Sequence, residues 1–316
     1  MVKCFFHRGD LSANFAFIHG SPWMLRSLLL GVLILLNQNA FAHSSSGSAL
    51  EDVYPWYGII ALNLTLLSYF YTKGWRQKRR ETKSLLFFYA GIVSIVIALF
   101  PPIDLISDKL LSIHMIQHML LMMAAAPLFV FGYSDYFIRL GLFPQWKRKL
   151  WSITRASTRF GLTKFTKPLM VGILYTLILW LWHIPILFES ALGNRVIHNI
   201  QHLLFFAVSY FFWKVLLRKI GSASLNPASG ILYLFVASVH SATLGVLMAF
   251  SPSVWYRSYE NVTYSYGLTA LEDQQIAGYI MWMPAGTSYF IVMIWLALKL
   301  TKDSGDSSKL FGGDHG

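Results

Sequence analysis

Seven long apolar stretches dominate this chain, at about residues 55–72, 84–101, 111–132, 168–187, 197–217, 230–250 and 276–299. Each has roughly the 17–25 residues that carry an α-helix across about 30 Å of hydrocarbon. With no water there to satisfy backbone N–H and C=O groups, helices are the form open to runs of this length. Only 13% of the 316 residues are charged and 55% are hydrophobic. That is about half the charged fraction of a soluble protein, which excludes a water-soluble domain, a disordered chain and a fibrous repeat. The sequence predicts an all-α membrane protein, a bundle of seven transmembrane helices.

The loops between the stretches set the orientation. The first connection holds Lys73, Arg76, Lys78, Arg79, Arg80 and Lys83. The third holds Lys147, Arg148, Lys149, Arg155, Arg159, Lys164 and Lys167, the fifth Arg218 and Lys219, and the tail Lys302 and Lys309. The alternate loops carry single cations: Lys109, Arg195 and Arg257. By the positive-inside rule the N-terminus lies outside and the C-terminus in the cytoplasm. Topology also accounts for the formal net charge of +12, so no nucleic-acid partner is called for.

Ahead of the first span, Met24-Leu25-Arg26 leads into the apolar run Ser27 to Leu36 and ends in Ala40-Phe41-Ala42. A positive start, a short apolar core and Ala-x-Ala predict a secretory signal peptide cleaved after Ala42, with Met1 or Met24 as the start. The expected organisation is 1–42 as extension plus signal peptide, 43–54 as a short external segment, 55–300 as the membrane domain and 301–316 as a cytoplasmic tail. The single cysteine, Cys4, falls in the part removed, so a disulfide framework or a thiolate metal site is excluded. A metal would have to be held by His, Met, Asp or Glu.

His114, His118, His183, His198, His202 and His240 lie within or at the ends of the apolar stretches. Ionisable groups at membrane depth are costly and mark functional sites. At 1.5 Å per residue the six lie from about 4 to about 15 Å below the outer edge, all in the outer half. His114/His118 and His198/His202 are spaced four apart, on one face of their helices. The depths suggest two tiers, His114, His183 and His198 above His118, His202 and His240. Helix–helix hydrogen bonding is the other role open to such residues; six at one level point to a shared metal site.

Met115, Met119, Met122 and Met123 crowd the same level. Thioether beside imidazole favours copper(I), although methionine is also a common apolar filler. The amine and imidazole of a newly exposed His43 could chelate copper as well. Asp273, at the head of the last span, can cap that helix or orient a ligand histidine from behind. Asp104, after Pro101-Pro102, is expected to be a loop cap or turn residue.

Four ordered segments, His114-Met115-Ile116-Gln117-His118, Trp182-His183-Ile184-Pro185, His198-Asn199-Ile200-Gln201-His202 and Asp273-Gln274-Gln275-Ile276-Ala277-Gly278, resemble the multi-span CtaG family of cytochrome c oxidase assembly factors, associated with caa-type oxidases. The resemblance covers roughly 55–300. It implies a non-enzymatic factor of the bacterial inner membrane that supports copper delivery to a haem–copper oxidase subunit. A copper donor on the outer face is expected too. It also implies that the family's histidines fall on His114, His118, His183, His198 and His202, and its acid on Asp273. Two other functions fit the residues: a haem protein with axial histidines such as His118 and His202, and a copper transporter, which needs metal sites continuing toward the cytoplasm. A di-iron membrane oxidase is weakened by the near lack of carboxylate ligands.

Overall fold

The computed structural model describes residues 54–78, 82–149, 152, 167–217 and 225–311. The signal peptide, its cleavage site, Cys4, His43 and several basic loop residues (Arg79, Arg80, Arg155, Arg159, Lys164, Arg218 and Lys219) lie outside them. Among the described residues the fold is helical throughout, without strands. In chain order the helices are α1 (Tyr54–Lys78), α2 (Thr82–Leu99), α3 (Ile103–Ser107), α4 (Leu111–Met119), α5 (Ala126–Phe131), α6 (Ser134–Gly141), α7 (Pro168–Trp182), α8 (Pro185–Gly193), α9 (Arg195–Leu217), α10 (Pro227–Ala249) and α11 (Ala270–Phe311).

Five helical segments are long and apolar enough to cross a membrane: Thr82–Leu99, Leu111–Phe131, Arg195–Leu217, Pro227–Ala249 and Ala270–Thr301. A sixth is the pair α7 and α8, bent by 73°. Helix α1 has 25 residues, long enough to span, but Asn63, Thr65, Ser68 and Thr72 make it more polar than these. Its Gly74 lies so close to Gly141 and Phe137 that a side chain on either glycine would meet the other helix's backbone. Helices α10 and α11 meet in the same way: a Cβ on Gly278 would stand 2.5 Å from the Ala249 nitrogen. Small residues are what let membrane helices approach so closely.

Two spans depart from a straight helix, each at a proline. The sequence predicts one continuous helix over 168–187, yet α7 stops at Trp182 and α8 starts at Pro185. Pro185 drives Ile184 out of the helical region, to φ −64° and ψ 125°. The other departure lies between α4 and α5, where Leu120–Ala125 widens into a π-helical turn. Pro127 supplies no N–H and crowds the Met123 carbonyl four residues back, so the preceding turn changes register. Two neighbours cap carbonyls of that turn. Ser94 Oγ donates to Leu120 at 3.1 Å and Trp213 Nε1 to Met122 at 2.9 Å.

The most enclosed span is α9. Phe205, Phe212 and Trp213 are buried on it, while Leu86, Leu169, Leu232 and Phe290 on α2, α7, α10 and α11 point outward. An apolar exterior around an interior that holds histidines, glutamines and acids suits a bundle solvated by lipid.

Candidate metal centre

Three helix termini meet where the histidines lie. Asp273, fully buried at the head of α11, accepts the Leu111 N–H at 2.6 Å and the Ser112 N–H at 3.2 Å. A carboxylate on the first amides of a neighbouring helix satisfies orphan donors and complements its dipole. Of the two roles open to Asp273, capping is the one observed, but for α4 rather than its own helix. Through that cap it acts on the helix that carries two of the histidines.

At the start of α9, Asn194 Oδ1 accepts from Val196 and Ile197 at 2.9 and 3.2 Å. Arg195 reaches back to Asp104 at 2.5 Å. Asp104 also accepts from Tyr57 at 2.8 Å and from Gln117 Nε2 at 3.2 Å. The sequence predicts a loop cap or turn residue at Asp104; it stands in the first turn of the short α3, and its role there is larger. It is a buried hub joining α1, the turn before α4, and the helices that carry both His-x-x-x-His pairs. The available signal was its place between spans, near an otherwise isolated Arg195 on the same side.

His183 sits at the break between α7 and α8. Its backbone N–H turns to the Trp180 carbonyl at 3.1 Å, and its Nδ1 lies 2.7 Å from the Leu179 carbonyl. A carbonyl can only accept, so Nδ1 carries the proton and Nε2 keeps the lone pair. That Nε2 is buried with no partner among the described residues.

These elements bring five imidazoles together. Ring centroids are 4.5 Å apart for His114 and His118, 5.3 Å for His118 and His202, and 5.9 Å for His114 and His202. One ligand nitrogen from each of these three lies within 4.8 Å of the others, a spacing that could hold a metal ion. His198 stands 5.0 Å from His114 and 4.3 Å from His202, and His183 stands 6.3 Å from His118. The expected two tiers merge into one cluster, with His183 beside the deeper His118. Both ring nitrogens of His114 and His118, and Nε2 of His183, His198 and His202, are buried without a hydrogen-bond partner among the described residues. Buried polar groups are rarely left so.

Aromatic rings wall the cluster. Phe205 lies 4.6 Å from His118 and Phe188 5.1 Å from His114. Tyr256 stacks on Phe188 at 4.1 Å and donates to the His183 carbonyl at 2.9 Å. Tyr259 donates to the Ser107 carbonyl at 3.0 Å. Burial holds both phenols above the usual tyrosine range, so they remain donors. Gln274 fastens the same segment, accepting from the Trp255 N–H at 2.6 Å and donating to the Ser253 carbonyl at 3.1 Å.

His240 is apart from the cluster, a correction to the depth estimate that grouped it with His118 and His202. Its Nε2 is 2.7 Å from Thr176 Oγ1 and its ring lies 6.3 Å from Tyr175. Depth follows from residue count, but the side of α10 that bears His240 faces α7. Met115 and Met122 are fully buried in the apolar core, and Met119 packs against it. The five-residue pattern His-x-Ile-Gln-His occurs twice, and both glutamines, Gln117 and Gln201, are fully buried. Read as His-x-x-x-His alone, the repeat conceals them.

A family model described as cytochrome c oxidase caa3 assembly factor (Caa3_CtaG) matches residues 69–303. The match takes in all five clustered histidines, Asp104 and Asp273. No protein with a curated description and no solved structure matches the chain.

Proposed function

Because the chain belongs to the cytochrome c oxidase caa3 assembly factor family, we propose that it serves oxidase assembly by holding copper(I) in the five-histidine cluster and passing it to an oxidase subunit in the membrane. The observation that carries this reading is the set of buried, unpaired imidazole nitrogens from three spans. Neutral imidazole suits copper, and no thiolate or carboxylate is needed. The role is non-catalytic.

The topology we propose is seven spans, counting α1 and the broken α7–α8 pair, in the bacterial inner membrane. The N-terminus is outside after signal-peptide cleavage, and the cluster lies in the outer half, where a copper donor can reach it. The cap from Asp273 and the Asp104 hub hold α4 and α9 in register, so the ligands are preorganised and exchange needs little rearrangement.

Haem fits this geometry less well. A porphyrin between His118 and His202 would have to lie where the rings of His114 and Phe205 stand, at 4.5 and 4.6 Å from His118. A transporter would continue its metal sites toward the cytoplasm, and among the described residues one group of three or more candidate ligands is found. The test is the double variant His118→Ala/His202→Ala. We expect loss of bound copper together with loss of active oxidase in cells; normal oxidase activity in that variant would overturn the copper role.

A further inference from the structure

An ion held as proposed above has no open way in, because the unpartnered ring nitrogens of the cluster are all buried. Some part of the wall must move for copper to enter or leave. Helix α8 is the part built to do so. Its nine residues lie between two extended ones, Ile184 at φ −64° and ψ 125° and Asn194 at φ −143° and ψ 113°. A few residues at the ends of an element are what absorb the turn of a hinge. One face of α8 buries Phe188 and Ala191, and the other exposes Ile186 and Ser190. Phe188 reaches the cluster: it is fully buried, with its ring 5.1 Å from His114 and 6.4 Å from His183. Tyr256 stacks on the same ring at 4.1 Å.

Little holds α8 down. Glu189 accepts hydrogen bonds from the Ser258 N–H, at 3.2 Å, and from the Ser258 hydroxyl. Tyr256 donates to the His183 carbonyl, just ahead of the helix. The two bonds to Glu189 are exposed, and competition from water leaves such bonds a small net contribution. On the other sides the cluster meets the packed interior. Phe205, Met115 and Met122 belong to the core on long spans, and moving them would disturb the bundle. Elements that open are drawn from the least stable parts of a fold.

We propose that α8 is a lid over the cluster. It swings about Ile184 and Asn194, lifts Phe188 away from His114 and His183, and opens the site to the outer face. The contact of Glu189 with Ser258 is its latch, and the segment 251–266 is the surface it closes against. The break at Pro185 then has a purpose beyond placing His183, since a continuous helix over 168–187 could not move its last turns alone. Closed, the lid keeps water and competing ligands from an ion held by neutral rings. Open, it uncovers the rings of His114 and His183 for ligand exchange with a donor or an acceptor. This regulation rests on the copper reading for its cargo, but the movement can be read without copper.

The test labels the purified, metal-free protein with diethyl pyrocarbonate, which acylates neutral imidazole nitrogen, and reads each histidine by peptide mass spectrometry. A second measurement follows copper(I) release from the loaded protein to the chelator bicinchoninate. Glu189→Ala/Ser258→Ala removes the latch. It should raise both the labelling rate of His114 and His183 and the rate of copper release about tenfold, with the amount of copper bound unchanged. Phe188→Leu, with a smaller side chain against His114, should act in the same direction by a smaller factor. Lys214→Ala, which weakens the far end of α9, should label at the wild-type rate; equal acceleration there would reveal general loosening and overturn the lid. Wild-type rates in the latch and Phe188 variants would also overturn the lid, and bound copper in those proteins would leave the copper reading standing. Faster labelling in the latch variant of a protein that binds no copper would support the lid and overturn the copper reading.

Discussion

Helix α9 passes through two polar levels that are built on opposite terms. Near its N-terminus His198 and His202 join three other imidazoles whose ligand nitrogens lack partners among the described residues. Eleven residues after His202, about 17 Å along the axis, two successive polar side chains of α9 are matched. Trp213 Nε1 donates to the Met122 carbonyl at 2.9 Å, and Lys214 pairs with Asp135 at 2.9 Å. Tyr175 and Tyr289 share a hydrogen bond at 2.7 Å at the side of Phe212. A polar group retained for structure is satisfied within the protein, because burial without a partner is costly. The unsatisfied level is the one that gains by taking a ligand from outside. The two levels should therefore answer mutation in opposite ways, the upper in binding and the lower in stability.

The largest stability effect belongs to the lower level. Removing one partner of an enclosed ion pair costs up to about 3–5 kcal/mol when burial is complete. Lys214 and Asp135 are 11% and 20% exposed, so Lys214→Ala should cost less, about 2 kcal/mol. The expected reading is a lower thermal midpoint in detergent with the copper stoichiometry unchanged. Loss of copper without loss of stability would break the comparison, because α9 would then couple its two ends.

The two His-x-x-x-His pairs of the cluster were legible in the sequence, whereas its full membership was legible only in part. Spacing of four residues put His114 with His118 and His198 with His202 on shared faces, and the helices keep them there. Counting residues gave depth but not rotation about the helix axis, so His240 was grouped with rings it does not touch. Asp104 and Asp273 show a second limit. Each acts across more than ninety residues of sequence, on Arg195 and on the first turn of α4 respectively, and such pairing is set by tertiary packing rather than local pattern. The break at His183 was within reach, since Pro185 disfavours a helical residue before it. Its effect on the Leu179 carbonyl was not, because that depends on where one side-chain nitrogen points.

Asp273 lies between the two kinds of behaviour and sharpens the contrast. Asp273→Asn keeps the size and one acceptor but removes the charge that faces the first amides of α4. A lost cap of this kind costs about 1 kcal/mol. It also loosens the placement of His114 and His118, one and two turns further on. We expect a modest fall in the thermal midpoint together with weaker copper retention against a chelator. A midpoint that falls while retention is unchanged would make Asp273 a purely structural cap.

The smallest effect is expected at His240, and it tests whether membrane depth or contact defines the site. His240→Phe removes the hydrogen bond to Thr176, whose hydroxyl also donates to the Gly172 carbonyl four residues back and so stays satisfied. The ring is half-buried beside Leu232 and Val236 in an apolar groove, where a phenyl group is tolerated. Stability should change by less than about 1 kcal/mol, and copper stoichiometry and oxidase assembly should match the wild type. If His240→Phe lost a copper equivalent, the ion path would extend from the cluster toward α10. The division of α9 into an open upper level and a closed lower one would then be drawn in the wrong place.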